Sequence, residues 1–304
     1  MNTEVLKVRT QALSRSFGAT RALRGLDLEV SGGEIVGLLG PDGAGKTTSI
    51  RLIAGLADPD GGQVRVCGLD PRTDAVRERL GLMPQRYSLY GDLSVGENLR
   101  FFRKMAGLSE EEAQPRISRL LALTRLAPFV DRLADKLSGG MYKKLALACA
   151  LLHEPEVLLL DEPTNGVDPV SRRELWDLLT EFAQRGMAIL VTTPAMDEAE
   201  RCHRVVLLAG GQCLASGRPV DLIAGLHHPV LQVSGGDRRT LARELANASL
   251  AVTPHGEGLR VLGALGSAET LQQIGSTYGA TVTMVAPSFE DLFLARMAER
   301  GDHP

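Results

Sequence analysis

The eight residues Gly40-Pro-Asp-Gly-Ala-Gly-Lys-Thr47 restrict this chain to very few architectures. They fit the pattern GxxxxGK[ST] and stand between the apolar run EIVGLLG and the stretch KTTSIRLIAGL, whose Ile50, Leu52, Ile53 and Leu56 form an apolar stripe at helical spacing. A strand, a glycine loop and a helix in that order form a phosphate cradle: the loop N–H groups curl around phosphate oxygens and the helix N-terminus adds partial positive charge. Lys46 is placed to reach β- and γ-phosphates, and the Thr47 hydroxyl to ligate Mg2+. Gly40, Gly43, Ala44, Gly45, Lys46, Thr47 and Thr48 are the residues expected to hold the phosphates.

A second element fits the first. In VLLLDEP an apolar strand delivers Asp161 and Glu162 to its C-terminal end, where a parallel sheet would set both carboxylates beside the phosphate loop. Asp161 is expected to hold Mg2+, and Glu162 to polarise the attacking water from outside the metal's direct ligands. VLLL (157–160) and AILVTT (188–193) flank the helix-like VSRRELWDLLTEFAQRG, a βαβ pattern that predicts a parallel sheet and an α/β core. Upstream, LKVRTQALSRSF and ALRGLDLEV read as antiparallel strands, and residues from about 93 to 152 as a helical insert. Within it Leu137-Ser-Gly-Gly-Met141 opens another helix, so that Ser138, Gly139 and Gly140 make a second phosphate-binding N-terminus. One nucleotide needs one cradle. The spare is explained if two subunits face each other head to tail, each offering its Ser138 loop to the ATP held by the other.

Composition narrows the classes. The hydrophobic share of 44% and charged share of 23% are those of a globular protein, and a net charge of −3 gives no overall basic field for nucleic acid. Cys67, Cys149, Cys202 and Cys213 lack metal-ligand spacing and read as reduced thiols of a cytosolic protein. The N-terminus has no signal-peptide core, and no stretch approaches the ~18 continuous apolar residues of a spanning helix. Texture changes near Leu226-His-His-Pro229, beyond which short strand and helix patterns alternate. We therefore divide the chain into a domain of residues 3–226 and a small α+β domain of residues 229–304.

The strings GPDGAGKTT, MPQ, LSGGM, LLLDEPTNGVDP and TTPAMDEAE resemble, in order and spacing, the motif series of ABC-transporter ATPases over residues 3 to about 220. The resemblance implies a P-loop fold of ABC type, with a mixed sheet, an antiparallel β subdomain and a helical subdomain. It implies ATP and Mg2+ as cofactors and Phe17 as the aromatic stacking on adenine. It also implies Gln85 as a catalytic and Mg2+-side residue linking the γ-phosphate to a membrane partner, and Asp168 as part of the loop between subunits. Asp168 also reads as the cap of a helix after Pro169, and Phe17 as a strand-edge core residue. SLYGDLSVGENLRFF and PSFEDLFLARM look like the ATPases of small-molecule exporters. The expected assembly is a dimer with a second ABC ATPase chain and an integral membrane permease, on the inner face of the cell membrane. ABC proteins acting on DNA or ribosomes fit less well, because only 92 residues separate Lys46 from Ser138, too few for a long coiled coil.

One position departs from the family pattern. About thirty residues after Glu162, where the family places a histidine at the γ-phosphate, this chain has Pro194, which offers no side-chain donor or acceptor. His203 lies nine residues on, roughly 13 Å along a helix. Slow hydrolysis is the expectation, and a hydrolysis-poor regulatory half beside a competent partner is the alternative to an active motor.

Overall fold

A computed structural model describes residues 5–86 and 89–300. The expected bounds at residues 3 and 304 lie outside the described residues. The chain divides into two compact units, Met1–Cys213 and Leu214–Pro304.

In the first unit, β1 (Leu6–Phe17) pairs antiparallel with β2 (Thr20–Ser31) and with β4 (Gly61–Val66) in a three-stranded sheet. The central sheet contributes five strands to this unit, β5 (Leu80–Met83), β6 (Val157–Asp161), β7 (Ala188–Thr193), β3 (Ile35–Leu39) and β8 (Arg204–Ala209), side by side in that order, and β9 (Gln212–Gly217) follows at the division between the units. From β5 to β8 its ladders are parallel, and every residue of β3, β6 and β7 is buried. Such strands read as continuous apolar runs because both faces are covered. The sequence pattern anticipates β3, β6 and β7, whereas β5, β8 and β9 were not foreseen. LGLM of β5 is too short to show a period.

Helices α1 (Lys46–Ile53), α2 (Asp74–Arg77) and α6 (Pro169–Gln184) belong to this unit. The insert holds α3 (Val95–Met105), α4 (Glu110–Leu123) and α5 (Gly139–Leu151). Capping boxes start α3 and α4: Ser94 accepts from the Glu97 amide and Ser109 from the Glu112 amide, while each glutamate reaches back to its cap. Cys67, Cys149 and Cys202 are free thiols, and burial raises that of Cys149.

The second unit contains α7 (Pro219–Ala224), then β10 (Val230–Gly235), α8 (Arg238–Ala246), β11 (Ser249–His255), β12 (Gly258–Gly263), α9 (Ala268–Thr277) and β13 (Ala280–Met284), ending in α10 (Phe289–Glu299). Its sheet runs β11-β12-β10-β13, all antiparallel, the order of a split β-α-β, ferredoxin-like unit. Leu241, Leu245 and Leu271 of α8 and α9 pack on Leu231, Val233 and Val261. Ala295 of α10 packs with Val230 and Leu262 in a separate cluster.

An ion pair also ties α10 to this sheet. Arg260 of β12 donates to Asp291 at 3.0 Å through Nε and 2.6 Å through Nη2, and Asp291 is 3% exposed. Burial alone would raise the Asp291 carboxyl, but hydrogen bonds from Arg260 and Ser288 hold it below the ordinary carboxylate value. Asp291→Ala should therefore destabilise this unit by about 3 kcal/mol, read as faster hydrogen exchange in β12 and α10. The carboxylate's contribution is fully present above the unfolded value of roughly 3.9 and fades as pH falls through the depressed folded value. Exchange rates in the variant equal to wild type above pH 5 would remove this role.

Candidate functional site

The C-terminal ends of β3, β6 and β7 converge because their registers match. Asp161 lies beside Thr192, and Leu39 beside Thr193. The glycine loop leaves β3 at this edge, pinned on both sides. A Cβ on Gly40 would stand 2.1 Å from the Leu208 carbonyl oxygen, and one on Gly45, at φ +109°, 2.4 Å from that of Ala22. No side chain fits at either place.

Lys46 begins α1 and is 4% exposed. Its Nζ donates to the carbonyls of Gly40 (2.9 Å) and Pro41 (3.0 Å) and lies 3.3 Å from Glu162 Oε1. Asp161 Oδ1 accepts from the hydroxyls of Thr47 (3.2 Å) and Thr192 (2.6 Å). Asp161 and Glu162 are 2% and 4% exposed, so one buried cation and two buried carboxylates share this edge. Glu162 has φ +50°, a left-handed conformation that costs a residue with a Cβ roughly 1–2 kcal/mol. Its amide donates to Thr192 O (3.1 Å) and Oγ1 (3.0 Å), which hold the strained turn in place.

The Glu162 carboxylate is oriented by two amides. Gln85 Nε2 donates to Oε2 at 2.9 Å, and Asn165 Nδ2 at 3.3 Å. Gln85 therefore meets Glu162 directly. Thr192 and Asn165 escaped the sequence reading, although a threonine ending an apolar strand beside the acidic one is a usable signal.

Ser138 is the N-cap of α5, its hydroxyl accepting from the Met141 amide at 3.3 Å. Ser138 and Gly139 are exposed while Gly140 is buried. A Cβ on Gly140 would fall 2.3 Å from Ser171 Oγ and 2.4 Å from Ser171 Cβ, so the starts of α5 and α6 touch without room for a methyl.

This geometry coincides with likeness to known proteins. The family described as ABC transporter matches residues 23–165. The Nod factor export ATP-binding protein I of Paraburkholderia xenovorans (strain LB400) is 41% identical over 238 residues, covering 77% of this chain and 78% of that one. The chain belongs to the ABC transporter family. The probable multidrug ABC transporter ATP-binding protein YbhF of Escherichia coli (strain K12) is 41% identical over 287 residues, covering 92% of this chain and 50% of that one. The chain thus spans about half the length of the first curated relatives it matches. A solved structure described as the ATP binding subunit of an ABC transporter superposes with a TM-score of 0.65 at 32% identity, over 72% of this chain and 92% of that one. The fold is the P-loop fold of ABC cassettes.

The remaining family positions fall as follows. Phe17 ends β1 and is 51% exposed, with the Arg15 guanidinium 5.0 Å from its ring centre, so it is no core residue. Asp168 caps α6, accepting from Val170 (3.1 Å) and Ser171 (3.0 Å), and hydrogen bonds from Ser171 first of all hold its carboxyl below the ordinary range. Pro194 follows β7 and is exposed. His203 Nδ1 accepts from the Ile35 amide at 3.0 Å, at the opposite end of β3 from the loop. Over the five residues of β3, at ~3.3 Å each, that separation excludes it from the phosphate site.

Among the described residues no group of three His, Cys, Asp or Glu could hold a metal ion. The Thr47 hydroxyl and Asp161 carboxylate do make a pair of hard oxygen donors beside a lysine, which fits Mg2+ sharing its shell with phosphates and water.

Gly140→Ala should overpack the α5–α6 contact and cost about 1–3 kcal/mol, lowering the thermal midpoint of the first unit. Ser171→Gly in the same chain should recover part of the loss by removing the opposing atoms. A midpoint unchanged in the single variant would show that the helices separate freely.

Proposed function

We propose that this chain is the ATP-binding and ATP-hydrolysing motor subunit of a membrane exporter. It works as a head-to-tail dimer with a second ABC ATPase chain, against a separate integral membrane permease on the cytoplasmic face of the cell membrane. Residues 3–226 would form the ATP-binding domain, with its helical subdomain at about 93–152, and 229–304 an accessory domain. The names of the relatives, multidrug transport and Nod factor export, support the direction of transport. No helix among the described residues is long and apolar enough to cross a membrane, so the span is assigned to the partner.

The observation that carries the proposal is the buried meeting of Lys46, Asp161 and Glu162 at the mouth of the glycine loop. Lys46 would exchange its carbonyl contacts for β- and γ-phosphate oxygens as the nucleotide enters. The loop amides of Gly43 to Thr48 would take the remaining oxygens, and Phe17, projecting from β1, would stack on the base. Thr47, Asp161 and the Gln85 side-chain oxygen would hold Mg2+, with Thr192 fixing Asp161 in orientation. Bound Mg2+ neutralises phosphate charge in the transition state. Glu162, aimed by Gln85 and Asn165, would orient the attacking water and take its proton. Ser138, Gly139 and Gly140 would complete the partner's site, with Asp168 between the subunits.

Pro84, which precedes Gln85 in the chain, lines a groove of about 830 Å3 together with Leu82, Met83, Phe102 and Met105, the last 72% exposed. We assign this groove to a segment of the permease, so that a change at the γ-phosphate reaches the membrane through Gln85. The alternative of a hydrolysis-poor regulatory half gains no support from the relatives' names, and Pro194 is its one basis.

Glu162→Gln keeps size and removes the carboxylate. Phosphate release should fall by about 10²–10⁴-fold, while Mg-ATP should convert the protein into a dimer detected by light scattering. A variant that stays monomeric with Mg-ATP, even beside a candidate partner chain, would argue against facing cradles.

Pro194→His restores a donor where the family has one. Turnover at saturating Mg-ATP should rise about tenfold or more, provided circular dichroism shows an intact fold. Wild-type turnover already high and unmoved by the substitution would show that Glu162 and Gln85 suffice.

A further inference from the structure

Within α5, one turn after its exposed start, Lys143 is 8% exposed and points toward the acidic strand. Its Nζ donates to the main-chain carbonyl of Glu162 at 3.2 Å and to that of Asn165. The neighbouring Lys144 makes an ion pair with Glu174 of α6. Lys143 uses its buried ammonium to bind two main-chain carbonyls that close one turn.

That turn is the support of Glu162. The Asn165 amide donates to the Glu162 carbonyl at 3.3 Å, and the Asn165 side chain donates to the Glu162 carboxylate at 3.3 Å. Glu162 itself is held at φ +50°. The carbonyls of residues 162 and 165 flank the turn, and a single ammonium bridging them fixes its width. Any shift of α5 along its axis is therefore delivered to the peptide that carries the Glu162 side chain.

We infer that Lys143 is a positioning residue that clamps the Glu162–Asn165 turn and joins the outward Ser138–Gly140 cradle to the chain's own Glu162 carboxylate. The inference rests on the hydrolytic reading proposed above. One helix begins with the group offered to the partner's nucleotide and, one turn further on, grips the backbone of the group that acts on its own. Engagement of Ser138 by a second subunit's ATP would thus set Glu162 in this subunit, and the two sites would fire together. Burial pulls the Lys143 amine down to about 8, against the favourable fields of Glu162 and Glu198. A lysine kept at such a desolvated place fits a task beyond packing.

The test uses the full chain with Lys143→Met, which keeps the length of the stem and removes the donors, and Lys143→Arg, which keeps both charge and donors. Lys143→Met should lower kcat about 10²-fold while KM for Mg-ATP stays within about threefold of wild type. It should also flatten the dependence of rate on ATP to a Hill coefficient near one, and Lys143→Arg should return most of the rate. Hydrogen exchange with a non-hydrolysable ATP analogue should show residues 162–167 opening at least about tenfold faster in the Met variant, with α1 unchanged. Unaltered exchange in that segment overturns the clamp, as does a kcat lost equally in the Arg and Met variants. If wild type proves not to hydrolyse ATP, with activity no higher than in Lys46→Ala, the motor reading fails and exchange alone decides the clamp. Should Lys143→Met unfold early, Lys143→Gln, too short to bridge two carbonyls, gives the same readings.

Discussion

Asp161 beside Thr192 and Leu39 beside Thr193 are two rungs of adjacent parallel ladders, and the site depends on their register. Side chains along a strand alternate between faces, so a slip of one residue in either ladder would turn Asp161 away from Thr47. The register is secured by burial. Every side chain of β3, β6 and β7 is packed on one face or the other, and a slip would misplace a whole set of leucines, isoleucines and valines. The hydrophobic core thereby sets the position of one cation and two anions that touch no apolar group for their function.

Those charges are tolerated because each is answered. An isolated carboxylate or ammonium moved from water into a protein interior faces a penalty of several kcal/mol. Here Lys46 has two carbonyls and Glu162, Asp161 has two hydroxyls, and Glu162 has two side-chain amides. The arrangement is pre-organised, so ligand phosphates would meet fixed donors rather than mobile water. The left-handed turn at Glu162 is strain stored at the same place and retained by Thr192 and Lys143.

Much of this was legible in the residues. The glycine loop, the acidic strand and the Ser138 loop are contiguous strings whose chemistry follows from spacing, and each announces its element by period or by breaker. What could not be read is what depends on contacts between distant segments. Thr192 is thirty-one residues from the Asp161 it orients, and Lys143 is nineteen from the Glu162 carbonyl it grips. A lysine in an otherwise apolar helix carries no mark of which carbonyls it will meet. Phe17 was ambiguous for a related reason: a strand-end aromatic can turn inward or outward, and only the pairing of β1 with β2 and β4 settles that it is exposed. The strand β5 has four residues and no alternation, and its existence follows from its ladder with β6.

The contact between Gly140 and Ser171 is a one-sided constraint. Two helix starts that already touch can move apart but not closer, because repulsion between atoms rises far more steeply than attraction falls. The start of α5 therefore has a forbidden direction, toward α6, and its thermal excursions are biased away from it. Motion about such a stop is rectified: a push on the Ser138 side directed at Ser171 is transmitted to α6 at once, whereas a pull need not be. Because α6 opens with Asp168, the loop that leads to it feels compression from α5 as displacement and tension only through weaker forces.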